Sequence, residues 1–228
     1  MLIRYWMSQP AITIQKNDSM QQAVNMMQAN HIRLLPVMNK GKICGILTDR
    51  DLKRASASDA TSLDVHELLY LIAKIKVADI MTRDVVTVHQ DLTMEEAADI
   101  MLDHKISGAP VLNGSERLCG VITQSDIFKA MIYLTGLKKR GIHIAILLPD
   151  IPGSIMGIAN IVREFGGRLA GILTTYERAP EGFRNVYIRF TDVSRDRVQD
   201  MLNAIKEKAT LLYMVDHREN QRTIFRNP

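Results

Sequence analysis

The chain is poor in the residues that usually announce chemistry. Of its 228 residues two are cysteines and six are histidines. Cys44 and Cys119 lie inside apolar runs, Ile43-Cys44-Gly45-Ile46 and Leu118-Cys119-Gly120-Val121, where a small buried thiol is a better reading than a disulfide or a metal ligand. The histidines are scattered, and His66-Glu67-Leu68-Leu69-Tyr70 puts a tyrosine where a zinc-protease motif needs its second histidine. A G-x-S-x-G elbow, a phosphate-binding glycine loop and a nucleophile with its base are all missing, which argues against an enzyme. Apolar runs are no longer than a strand, as at Ile142 to Leu148, so neither an export signal nor a membrane span is expected. Net charge is only +4, and the one dense basic run, Lys138-Lys139-Arg140, reads as a solvated linker. Nucleic acid is therefore not an expected partner. A reducing, cytoplasmic location fits the cysteine usage.

What the chain does have is a repeat. Residues from Met7 to Ala55 return from Met81 to Ala130: Thr13 falls on Thr87, Met20 on Met94, Met27 on Met101 and Pro36 on Pro110. After a shift of one residue, Cys44-Gly45 meets Cys119-Gly120, Thr48 meets Thr123 and Asp51 meets Asp126. Each copy is too short to close a good core alone, so the two are expected to pack together and to leave a pseudo-symmetric cleft. Such clefts suit ligand binding.

Both copies read in one order. A short strand around Ile12-Thr13-Ile14, or Val86-Thr87-Val88, leads to the capping boxes Ser19 with Gln22 and Thr93 with Glu96. The helices they open carry one apolar stripe, Met20, Ala23, Val24 and Met27, or Met94, Ala97, Ala98 and Met101. A strand ending in Pro36-Val37 or Pro110-Val111, a polar turn, a second strand and a short helix follow. Ser56 to Ser62 reads as a polar loop, Leu63 to Ile75 as a connecting helix, and Gly136 to Gly141 as a basic hinge. From His143 the pattern becomes strand, helix, two strands, helix and strand, the βαββαβ order of the ferredoxin-like split unit. The fold class is α+β: a pair of pseudo-symmetric β-α-β-β-α modules, at 1–62 and 63–137 with the connecting helix, then a C-terminal domain at 138–228.

The most specific string is Gly45-Ile46-Leu47-Thr48-Asp49-Arg50-Asp51, echoed at Gly120-Val121-Ile122-Thr123-Gln124-Ser125-Asp126. Two readings stay open. The Thr can cap the next helix while the Asp returns a bond to it, a purely structural device. Equally, a carboxylate beside a helix N-terminus can accept both hydroxyls of a ribose while the Thr hydroxyl and free N–H groups face a phosphate.

The repeated h-P-V, polar turn, G-h-h-T-x-x-D unit resembles the CBS module, named after cystathionine β-synthase, across both copies. His31-Ile32-Arg33 through Pro36-Val37, with Thr48-Asp49-Arg50-Asp51 and Lys53, is similar to the AcuB-like CBS-pair proteins of acetoin utilisation. The resemblance implies a regulatory adenosine-containing ligand, such as AMP, ADP or ATP, and no required cofactor. It also implies that Asp51 and Asp126 hold ribose hydroxyls with Thr48 and Thr123 close by. Leu34-Leu35 before Pro36, and Gly108-Ala109 before Pro110, would contact the base. Arg33, and with it Arg50, would meet phosphates, and the fork shape of a guanidinium suits that task. Ser107 and Ser125 stand at the equivalent places, so the two pockets should differ in anion affinity.

Asp150-Ile151-Pro152-Gly153-Ser154-Ile155 resembles the D-x-P-G-x-L turn of ACT domains, which implies an amino-acid site at a dimer interface, although Arg168 replaces that family's frequent Asn. The expected function is a non-catalytic sensor that forms a homodimer and acts on an unidentified partner protein. The alternative is an interaction or scaffold protein whose clefts are structural and hold no ligand.

Overall fold

The computed structural model describes residues 1–59 and 74–225. The chain divides into two compact units, Met1–Phe128 and Lys129–Pro228.

The first unit holds both copies. One comprises β1 (Ile14–Gln15), α1 (Met20–Ala29), β2 (Leu34–Asn39), β3 (Lys42–Thr48) and α2 (Asp49–Asp59). After a single-turn helix, α3 (Val77–Ile80), the other comprises β4 (Val88–His89), α4 (Met94–Asp103), β5 (Gly108–Leu112), β6 (Leu118–Thr123) and α5 (Gln124–Leu134), which continues past the end of the unit. Each copy builds a three-stranded sheet, β1-β2-β3 or β4-β5-β6, with its first pair parallel and its second antiparallel. The register even shifts at equivalent places, between Val37 and Met38 and between Val111 and Leu112. The apolar stripe of α1 packs Met20, Ala23 and Met27 against Leu35, Val37 and Leu47. Each such fully buried Leu or Met side chain contributes about 1.5–3 kcal/mol.

Both capping boxes form as the sequence predicts. Ser19 and Thr93 accept from the N–H of Gln22 and Glu96, whose side chains accept in turn from the capping residue's N–H at 2.7 Å. Thr93→Ala is expected to cost ~1 kcal/mol of stability in urea unfolding. A loss indistinguishable from zero would show that the box is ornamental.

The copies are interlocked by their leading segments, which each complete the other copy. Ile3 and Arg4 donate to the carbonyls of Leu92 and Gln90, and Ser8 exchanges both backbone bonds with Val121. Symmetrically, Val77 and Ala78 donate to Asp18 and Lys16, and Thr82 exchanges both bonds with Ile46. β1 and β4 begin two residues later than predicted, each after a stretch that follows the cross-copy pairs at Ser8 and Thr82.

Two other expectations change. The helices after Thr48 and Thr123 are not short, since each has eleven residues. α2 runs on through the predicted loop to Asp59, because Ala55 and Ser56 offer no Gly or Pro to stop it and the Ser56 hydroxyl bonds back to the Leu52 carbonyl. Residues 60–62, and all of the predicted connecting helix before Lys74, lie outside the described residues.

The second unit contains β7 (Ile142–Pro149), α6 (Ser154–Glu164), β8 (Arg168–Thr175), β9 (Phe183–Thr191), α7 (Val198–Lys206), β10 (Thr210–Asp216) and β11 (Gln221–Ile224). Its sheet has the order β11-β10-β7-β9-β8 with antiparallel neighbours throughout. Ile144, Ile146, Ile188 and Phe190 cover one face and meet Ile158, Val162, Met201 and Ile205 from the two helices. The β-α-β-β-α-β order is thus present, with β11 added at one edge.

The predicted hinge at 136–141 is fastened to this sheet. Gly136 and Gly141 have φ of +65° and +67°, and a Cβ on Gly136 would lie 3.0 Å from the Ala170 carbonyl oxygen. Buried Arg189 donates to the carbonyls of Thr135, at 2.8 Å, and Arg140, at 3.1 Å. The guanidinium thereby serves the C-terminal end of α5, where a cation is favoured.

Candidate functional site

The two T-x-x-D strings fold into near-identical devices at the starts of α2 and α5. Asp51 Oδ2 accepts from the Thr48 N–H at 2.9 Å and from the Thr48 hydroxyl at 2.6 Å. Asp126 Oδ2 does the same with Thr123, at 3.0 and 2.7 Å. Both carboxylates are deeply buried, with 7% and 5% exposure. The other oxygen of Asp51 accepts from the exposed Arg54 guanidinium at 2.8 Å. Arg54 was not singled out in the sequence, although its place three residues after Asp51 on a helix is a readable signal.

The glycine that opens each string has a packing reason. A Cβ on Gly120 would stand 2.8 Å from the Ser8 carbonyl oxygen and 2.6 Å from Met7 Sδ, while one on Gly45 would collide with Met81 and approach the Thr82 oxygen to 3.1 Å. Those neighbours are the crossed leading segments. The glycines therefore let the interlock form.

Of the residues before the prolines, Leu35 and Ala109 are fully enclosed, and Pro36 and Pro110 are buried. Leu35 and Ala109 leave a ligand little beyond their backbone. Leu34 and Gly108 mark the boundary between the copies, since a Cβ on Gly108 would meet Leu34 Cδ1 at 3.0 Å and Thr123 Cγ2 at 3.2 Å. Arg33, Arg50 and Ser125 are exposed, and the Ser107 carbonyl accepts from the Gln124 N–H as the Arg33 carbonyl does from Asp49.

A hollow of about 850 Å³ lies against α1 and α2, lined among others by Met27, His31, Ile32, Arg33, Leu52 and Lys53. Arg33 belongs to this hollow, whereas Thr48 and Asp51 do not line it. The sequence pointed to Arg33 but not to its surroundings, which are assembled from two helices.

In the second unit, Ile151, Pro152, Gly153, Ser154 and Ile155 line a hollow of about 520 Å³, together with Arg163 and Arg184. Asp150 is ion-paired with Arg184, whose guanidinium also lies over the Tyr176 ring at 5.3 Å. Arg168 points away into an ion pair with Asp192 at 3.6 Å. Among the described residues no group of three His, Cys, Asp or Glu side chains could hold a metal ion, and no helix is long and apolar enough to cross a membrane.

The family model of the CBS domain matches residues 3–58 and 77–133. A CBS domain-containing protein of Dictyostelium discoideum is 34% identical over 132 residues, which is 58% of this chain and 91% of that protein. Inosine-5'-monophosphate dehydrogenase of Methanocaldococcus jannaschii is 35% identical over 130 residues, 57% of this chain but only 23% of the enzyme. Among solved structures, a Vibrio cholerae protein named for acetoin utilization (AcuB) aligns with a TM-score of 0.50 and 26% identity, over 61% of this chain and 96% of its own.

Proposed function

Because the chain belongs to the CBS-domain family as a tandem pair, we propose that it is a non-catalytic regulatory protein that takes an adenosine-containing ligand at its paired T-x-x-D sites. The observation that carries this reading is the repeated buried carboxylate at a helix start, Asp51 and Asp126, each held in one orientation by its own Thr. A fixed carboxylate is suited to the two hydroxyls of a ribose, and the adjacent helix N-terminus to an anion. Arg33 and Arg50 supply cations to the first copy that Ser107 and Ser125 do not supply to the second. AMP, ADP and ATP are the ligands to try first. The V. cholerae relative supports an AcuB-like role, with the acetoin pathway as its most specific form.

Calorimetry on the Asp51→Ala, Asp126→Ala double variant is the direct test. Losing charge-assisted bonds of this kind costs about 1.5–3 kcal/mol, or roughly tenfold or more in affinity. Unchanged AMP or ATP binding in a folded double variant would remove the proposal. In a second measurement, Arg33→Ala should weaken AMP and ATP more than adenosine, since only phosphate meets a guanidinium fork. Equal losses for all three would assign Arg33 to the fold.

A second reading, that the clefts are structural parts of a scaffold, is favoured by one fact: each Asp already accepts two bonds from its own Thr at the helix start, and Thr48 accepts in turn from the Asp51 N–H. Nucleotide released from freshly purified, denatured protein would exclude it.

For the second unit the proposal is an ACT-type module that supports a homodimer, with an amino-acid carboxylate at Ile151–Ile155 and the start of α6. The 520 Å³ hollow and its two arginines support that assignment. The regulated partner acts through this unit or through self-association.

A further inference from the structure

The face of the C-terminal sheet turned away from α6 and α7 carries two rows of side chains that the T-x-x-D sites do not use. Register places Leu173, Tyr187, Ala145, Tyr213 and Ile224 side by side across all five strands. The next row places Arg189, His143, Val215 and Arg222 side by side. An apolar, aromatic row therefore runs beside one that carries two arginines and a histidine. Leu173 and Ile224 at the two ends are 40% and 71% exposed, and both tyrosines are half-buried. The His143 ring bridges the rows, with its centroid 5.7 Å from Tyr213 and 6.4 Å from Tyr187.

The cationic row has no acid of its own. Arg189 is 5% exposed and is held by two backbone carbonyls, with no carboxylate paired to it among the described residues. Arg140 adds to the same positive surroundings, its guanidinium bonding the His217 carbonyl at 3.0 Å. Asp216, on the neighbouring strand, pairs in register with Ile142 and so lies on the helix-covered face. Its carboxylate is taken up by Arg218 at 2.7 Å. A guanidinium removed from water without a counter-charge is costly, and carbonyl dipoles offset only part of that cost. Rings beside arginines that no carboxylate pairs match a ligand that joins a ring to an anion.

We propose that this sheet face binds a planar aromatic ring that carries an oxyanion, the ring on Tyr187 and Tyr213 and the oxyanion between His143 and Arg222. Ring stacking on tyrosine and charge-assisted bonds from the guanidiniums provide the two halves of recognition. The site is independent of Asp51 and Asp126.

Phenyl phosphate is the probe, titrated into the full chain with inorganic phosphate and phenol as its separate halves. Phenyl phosphate should bind about tenfold or more tightly than either half, and the bound dianion should raise the titration midpoint of the His143 ring followed by NMR. Exposed Arg222→Gln should weaken binding roughly tenfold, and Tyr187→Leu about three- to tenfold. Affinities that do not change in both variants, or a His143 resonance that does not move at saturation, overturn the proposal. So does preference for a single-stranded oligonucleotide over phenyl phosphate with a steep salt dependence, which would make the face a nucleic-acid platform.

Discussion

Gly120→Ala should destabilise the first unit by ~2–3 kcal/mol, more than most single methyl additions to a protein. The added Cβ would lie 2.8 Å from the Ser8 carbonyl oxygen and 2.6 Å from Met7 Sδ. Met7 can move, being a flexible side chain. Ser8 cannot, since its N–H and carbonyl are both bonded to Val121, at 2.9 and 3.0 Å. Relief therefore requires breaking the strand pair that ties the leading segment of one copy to the sheet of the other. Gly114→Ala is the matched control, because nothing lies within 4 Å of its would-be Cβ. Chemical unfolding of both variants should give a large loss for Gly120 and a change within about 0.5 kcal/mol for Gly114. Equal, small effects would mean that the interlock is loose in solution and that the glycine of the G-h-h-T-x-x-D string is there for another reason.

That glycine shows where sequence reading succeeds and where it stops. The apolar stripes and the capping boxes were legible because each depends on residues three or four apart, and the repeat because it is written out twice in the same order. The structural reading of Thr48–Asp51 and Thr123–Asp126 was legible for the same reason, and in both the Asp returns its bond to the Thr N–H. The crossing of the leading segments was not legible. Ser8 meets Val121, and Thr82 meets Ile46, across separations that no local pattern encodes. The Arg33 hollow was hidden likewise, since it needs α1 and α2 side by side. β11 escaped notice because Gln221-Arg222-Thr223-Ile224 is a polar edge strand, fixed by its register with Tyr213 to Asp216. The hinge at 136–141 was misjudged on composition: its glycines and basic residues read as loose linker, but Arg189, 48 or more residues away in sequence, clamps its ends. Long-range pairing decided each of these cases.

Stability of the C-terminal unit should fall on acidification, and His143 should account for much of the slope. Burial, reinforced by the charges of Arg189 and His217, lowers its pKa from 6.5 to about 4. His217 is shifted downward too, first by burial and then by Arg189, Arg222 and Arg140, with Asp216 opposing. Tyr187 and Tyr213 pack beside the His143 ring. A histidine held neutral in the folded state binds its proton later than the unfolded chain does. The folded state is therefore fully favoured above about pH 6.5 and loses that advantage as pH falls towards 4. Because the ring is partly open to solvent, the loss is set at ~1–2 kcal/mol rather than the full value of the shift. Asp216, held below its ordinary pKa chiefly by hydrogen bonds from Arg218, adds a further loss only below about pH 4. Urea unfolding between pH 7 and 5 separates the two groups, since histidines titrate in that range and Asp216 does not. His143→Gln should flatten the dependence in that window. An unchanged slope in the variant would show that folding leaves the His143 pKa where it is in the unfolded chain, and that the cations around the ring are offset by a charge the fold itself supplies.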